Sequence, residues 1–136
     1  MSKPLTLLVE DTPTHRRILS SFLEREGFIV YAVDSCTTAL KFLTQFKPDI
    51  LITNLHLPEM TGIELIQRVR GVKHLTDIPI VAINNSRDIP RTDALKAGAT
   101  AILRKPIDLA QLMKTLIKAC GDRLEKEPDL ELESVG

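Results

Sequence analysis

The chain has 136 residues, 43% of them hydrophobic and 26% charged, enough to bury one self-sufficient core and typical of a single globular domain. Eighteen Lys and Arg balance eighteen Asp and Glu, so the net charge points neither to a nucleic-acid polyanion nor to an anionic membrane as partner. No apolar run approaches the ~20 residues that span a bilayer. No signal-peptide region opens the chain, and Cys36 and Cys120 match no metal-ligand spacing, so a soluble protein of a reducing cytoplasm is expected.

Short apolar runs alternate with longer amphipathic stretches. The first run, Leu5–Val9, is followed by Glu10, Asp11 and a helix start, with Thr12 as N-cap and Pro13 at the first helical position, where its missing N–H costs nothing. Ile18, Leu19, Phe22 and Leu23 form the apolar stripe of this helix, and Gly27 can end it. The second run, Phe28–Val33, leads to Ser35 as cap and to Cys36, Ala39, Leu40 and Leu43 at helical spacing. The third, Asp49–Thr53, ends on Asn54 and a loop. Thr61 and Glu64 then form a capping box for a helix with Ile63, Ile66 and Val69 inward. The fourth run, Ile78–Ile83, ends on Asn84 and precedes a less regular helix from about Pro90 to Gly98, with Ala94 and Leu95 as its apolar content. The fifth, Ala101–Leu103, precedes Lys105. A last helix is capped by Asp108, carries Leu109, Leu112, Met113, Leu116 and Ile117, and stops at Gly121.

The runs are rich in Val, Ile and Leu and mostly continuous, as in parallel strands buried on both faces. Five strands alternating with five helices predict an α/β fold, a doubly wound parallel sheet over residues 1–121. Residues 122–136 hold six of the eighteen acids and two of the eighteen bases, and read as an acidic flexible tail or linker. In such sheets the functional crevice lies beyond the carboxyl ends of the strands. Glu10, Asp11, Asn54, Asn84 and Lys105 all stand there.

With these residues in place the chain resembles a response-regulator receiver domain of two-component signalling across residues 4–121. The pieces are L7-L-V-E-D11, the loop L57-P-E-M-T-G62 after Asn54, A94-L-K-A-G-A99 and R104-K-P106. The resemblance implies strand order 2-1-3-4-5, a flavodoxin-like (βα)5 fold, and a cis bond before Pro106. It also implies that an acidic pair and a phospho-accepting aspartate hold Mg²⁺, that a lysine contacts the phosphoryl oxygens, and that a hydroxyl residue and an aromatic one relay the change. The acidic pair would be Glu10 and Asp11, and the lysine Lys105.

Three positions depart from that pattern. The acceptor position is Asn54, and the two switch positions are Asn84 and Ile102. A carboxamide is a far poorer nucleophile than a carboxylate, and Mg²⁺ loses a carboxylate ligand, so metal binding at Glu10 and Asp11 is expected to be weakened. The expected function is a non-enzymatic signalling module, a degenerate pseudo-receiver acting through protein contacts and not phosphorylated at Asn54. The alternative is an ordinary phospho-acceptor whose aspartate has been replaced by Asn.

Implied partners are a histidine kinase or an output domain, or a second copy in a homodimer through the fourth helix, fifth strand and fifth helix. Arg87, Arg91, Lys96 and Arg104 place positive charge near that face. The loop after the first strand lacks a glycine-rich phosphate cradle, which argues against a nucleotide-binding enzyme. No segment remains for a DNA-reading helix-turn-helix. His15, in line with Ile18 and Phe22, reads as a half-buried helix residue, His56 as lining the pocket mouth or facing solvent, and His74 as a loop residue.

Overall fold

A computed structural model describes residues 3–85 and 89–121. The chain runs β1 (Leu5–Val9), α1 (Pro13–Arg25), β2 (Ile29–Val33), α2 (Cys36–Leu43), β3 (Ile50–Asn54), α3 (Gly62–Arg70), a 3-10 turn (Lys73–Leu75), β4 (Ile80–Asn84), α4 (Arg91–Ala97), β5 (Ala101–Arg104) and α5 (Leu109–Cys120). All strand pairs are parallel, in the expected order β2-β1-β3-β4-β5. The tail at residues 122–136 lies outside the described residues, as does Arg87.

Alternation along the strands divides the core in two. Leu7, Val9, Leu51, Ile80 and Ala82 pack with α2, α3 and α4 on one face, and Leu8, Ile50, Ile52, Val81 and Ile83 pack with α1 and α5 on the other. The central strands β3 and β4 are buried along their whole length. The edge strand β2 departs from the expected double burial: Ile29 is 51% and Tyr31 48% exposed, because an edge has a neighbour on one side only. The apolar stripes are also narrower than their sequence suggested. Ile18, Leu95 and Ile117 lie exposed at their margins, and in α3 Leu65 is fully buried while Ile63 only packs against the core.

Capping accounts for most helix starts. Ser35 Oγ accepts from the Thr38 N–H, Thr61 Oγ1 from the Glu64 N–H, and Asp108 Oδ1 from the N–H groups of Ala110 and Gln111. Thr12 occupies the N-cap position of α1 with no side-chain cap bond; its own N–H donates instead to Glu10 Oε2 at 3.0 Å. Gly27 takes a positive φ of 98° just after α1, as the sequence suggested.

Opposite the crevice, the Arg70 guanidinium ties several carbonyls together. Its Nε and Nη2 donate to Gly98 O at 3.0 and 2.8 Å, and its Nη1 donates to Ile78 O at 2.7 Å and Thr76 O at 3.1 Å. One cation thereby joins the end of α4 to the entry of β4.

At the crevice end, Gly62 opens α3 directly against the backbone of β3. Its N–H donates to Leu55 O at 2.9 Å, and a Cβ there would collide with the carbonyl oxygen of Asn54 and lie 2.7 Å from Leu55 Cα. Gly62→Ala is therefore expected to destabilise the protein by about 1–3 kcal/mol, since neither backbone can yield easily. Gly71→Ala is the control, because its nearest contact would be an ordinary 3.5 Å. Equal urea midpoints for the two variants would show that the close approach at Gly62 does not matter.

Candidate functional site

The crevice is built from chain ends that the sheet register brings side by side. β1 delivers Glu10, fully buried, and then Asp11; β3 delivers Asn54, 3% exposed, on its last residue. The Lys105 N–H donates to Asn84 O at 3.0 Å, which fixes the start of the β5–α5 loop beside β4. The Lys105–Pro106 bond is cis, as the resemblance implied.

The side chains converge on Glu10. Its Oε1 accepts from Lys105 Nζ at 3.0 Å, with the lysine side chain only 13% exposed. Its Oε2 accepts from the Thr12 N–H and, at 2.8 Å, from Asn54 Nδ2. The same Nδ2 donates to Asp11 Oδ1 at 3.1 Å. Asn54 thus uses both amide protons to bridge the two carboxylates. Its orientation is dictated, since a carboxylate only accepts and the amide oxygen has nothing to donate. That oxygen, Asn54 Oδ1, is buried without a hydrogen-bond partner.

The side chains of Asn84 and Ile102 have other neighbours. Asn84 is buried, and its Nδ2 donates to Ile89 O at 2.9 Å, tying β4 to the segment that enters α4. Ile102 lies half-buried against the core cluster under α2, α3 and α4.

His15 differs from its expected place. It is exposed at the mouth of the crevice, with Nδ1 3.0 Å from Lys105 Nζ. An ammonium can only donate, so Nδ1 accepts. The helical line shared with Ile18 and Phe22 misled, because α1 begins at Pro13 and its first turn projects over the crevice. Arg16 was overlooked altogether. Its Nη1 donates to Glu10 O at 2.8 Å and steadies the acidic loop. The signal was in the sequence: two basic-type residues one turn after an acidic pair. His56 is half-buried, with its Nε2 buried and unpartnered. Beside Lys105, an apolar cleft of about 510 Å³ is lined by His15, Ile18, Leu19, Pro106, Ile107 and Leu109.

The chemistry of this set is that of a hard-cation site whose two carboxylates are bridged by an amide. Glu10 and Asp11 are suitable oxygen donors for Mg²⁺, and the orphaned Asn54 Oδ1 would be a third if the carboxamide turned over. As it stands, the Nδ2 proton donors point into the space between the carboxylates. Among the described residues no group of three His, Cys, Asp or Glu side chains is arranged to hold a metal. Cys36 is no ready nucleophile: burial, with Glu59 and Glu64 nearby, pushes its thiol up to about 11.

The comparisons with known proteins agree with this geometry. Residues 6–117 match the response regulator receiver domain family. The two-component response regulator ORR5 of Oryza sativa subsp. japonica is 32% identical over 120 residues, covering 85% of this chain and 90% of its own. A putative response regulator from Chloroflexus aurantiacus superposes with a TM-score of 0.83 at 28% identity, over 88% of this chain and 98% of that one. The receiver domain of the sensor histidine kinase PA1611 from Pseudomonas aeruginosa, solved with a magnesium ion coordinated in its active-site cleft, gives a TM-score of 0.81 at 26% identity, over 88% and 99%. The sheet order, the acidic pair beyond β1 and the lysine beyond β5 have their explanation in common descent: this chain belongs to the response regulator receiver domain family of two-component signalling.

Proposed function

We propose that this protein is a pseudo-receiver, a non-enzymatic signalling module that is not phosphorylated at Asn54 and works through protein contacts made by its standing conformation. The observation that carries this reading is the Asn54 bridge, with Nδ2 held between Glu10 and Asp11 at 2.8 and 3.1 Å. A carboxamide at the acceptor position presents a weakly nucleophilic oxygen and no charge with which to attack phosphorus.

Mg²⁺, when bound, would supply charge neutralisation for phosphoryl oxygens. Glu10 and Asp11 would hold it, in competition with the amide that now satisfies them, so its binding is weakened. Two further substitutions favour the same reading. Asn84 spends its amide on the Ile89 carbonyl, and Ile102 has no polar tip to exchange between core and solvent.

The partner surface is the α4–β5–α5 face, where Leu95 is 42% exposed and Arg91, Lys96 and Arg104 are exposed around it. A partner with an acidic rim and an apolar centre fits it, a histidine kinase or output domain among them. The receiver unit spans residues 1–121, with 122–136 as tail or linker. The second reading, an ordinary receiver whose acceptor aspartate has been replaced, draws on the retained Glu10, Asp11 and Lys105.

Two measurements test the proposal. Asn54→Asp would set an acceptor oxygen where Nδ2 now donates to two carboxylates, losing two charge-assisted hydrogen bonds and adding repulsion. Its melting temperature should fall by several degrees in chelator and recover in millimolar Mg²⁺. A variant that melts higher than the parent in chelator would sink the account of the bridge.

The other measurement is proton–nitrogen NMR of both proteins with Mg²⁺ and beryllofluoride. The parent should show no shifts, and Asn54→Asp should show shifts confined to the crevice. Changes that spread to α4 and β5 in the variant would favour the replaced-aspartate reading.

A further inference from the structure

The free edge of β2 carries features that the crevice does not explain. The chain has four Phe, one Tyr and no Trp. Three of these five aromatics gather here: the Tyr31 and Phe42 rings stack at 4.5 Å between centroids, and Phe42 and Phe46 at 5.0 Å. Tyr31 and Phe46 are 48% and 53% exposed, and Ile29 beside them 51%.

The backbone there is polarised by residue. The Ile29 N–H donates to Pro4 O and the Val33 carbonyl accepts from the Glu10 N–H, so Ile29, Tyr31 and Val33 direct their peptide groups to β1. In a parallel strand the intervening residues face the other way. Val30 and Ala32 therefore turn their N–H and C=O groups to the open side. Exposed edges are ordinarily blunted by Lys, Pro or a bulge. I29-V-Y-A-V33 contains neither residue, and its register with β1 is unbroken.

We propose that a second copy of this chain occupies this edge, with the two β2 strands antiparallel about a two-fold axis at Tyr31. The symmetry follows from the outward groups, which sit one residue to either side of Tyr31. Antiparallel pairing sets Val30 opposite Ala32 of the second copy, and the reverse, so that each pair exchanges two backbone hydrogen bonds. Tyr31 then meets its own counterpart at a non-hydrogen-bonded position, where side chains approach most closely, and Ile29 lies against the second copy's Val33.

A two-fold axis opposes every residue near it with its own kind, and a strand without charge meets that condition with no repulsion. As a non-covalent association of two copies, the dimer is populated in proportion to concentration. It leaves the α4–β5–α5 face, at the opposite edge of the sheet, open to another protein.

Sedimentation velocity and amide exchange on the whole chain, from low to high micromolar concentration, test this. The mass should rise toward a dimer with concentration. The Val30 and Ala32 amides should gain protection with it, while those of Ile29, Tyr31 and Val33 hold constant. Tyr31→Lys, which sets two like charges at the axis, should remain monomeric, and Leu95→Lys on α4 should dimerise as the parent does. A parent that stays monomeric throughout overturns the proposal. So does a dimer that survives Tyr31→Lys, or one lost with Leu95→Lys. Should Tyr31→Lys not fold, the exchange pattern of the parent decides alone: no gain of protection at Val30 and Ala32 overturns the pairing.

Discussion

Two carboxylates emerging beyond β1, one of them fully buried, must be neutralised or satisfied, and this constraint governs the rest of the site. Glu10 is fully buried, so each of its oxygens needs a donor. Lys105 supplies one from the far side of the sheet, and the Asn54 amide and the Thr12 N–H supply the other. The strand order is what makes this feasible. β1 lies beside β3, and the β5–α5 loop reaches back over the strand ends to Glu10. Remove the amide, and a buried carboxylate loses the donor that links it to Asp11.

Much of the architecture was legible in the chain itself. Apolar runs of about strand length, separated by helices with Ser35, Thr61 and Asp108 in front and Gly27 and Gly121 behind, specify five alternating units, and local chemistry agrees with tertiary packing at nearly every boundary. The strand-end rule then located Glu10, Asp11, Asn54 and Lys105, which the structure does bring together. What the sequence could not convey was direction. Nothing in Asn54 as a letter says that its amide points inward and its oxygen is stranded, because that depends on where Asp11 sits across the crevice. His15 failed for a related reason, since periodicity reports a helix face but not what overhangs the helix's first turn. β2 read as a buried strand because hydrophobic content does not distinguish the middle of a sheet from its margin.

The two margins of the sheet are chemically unlike. On the β5 side Arg91, Lys96 and Arg104 are exposed with Leu95, whereas the β2 strand carries no charge and exposes Ile29 and Tyr31. A receiver domain that signals without phosphorylation, as proposed above, would depend on surfaces that are already in place. The crevice network, meanwhile, ties the β5–α5 loop and the start of α1 to the same carboxylate.

Arg70 gives the domain a mechanical tie. Its guanidinium clamps the Gly98 carbonyl at the end of α4 to the carbonyls preceding β4, whereas the entry of α4 is tied through the Asn84 amide to Ile89. The Gly98 end of α4 is thereby held through several carbonyls at once to the entry of β4. A protein that gripped α4 would therefore pull on both ends of β4, through Arg70 at its entry and through Asn84 at its exit.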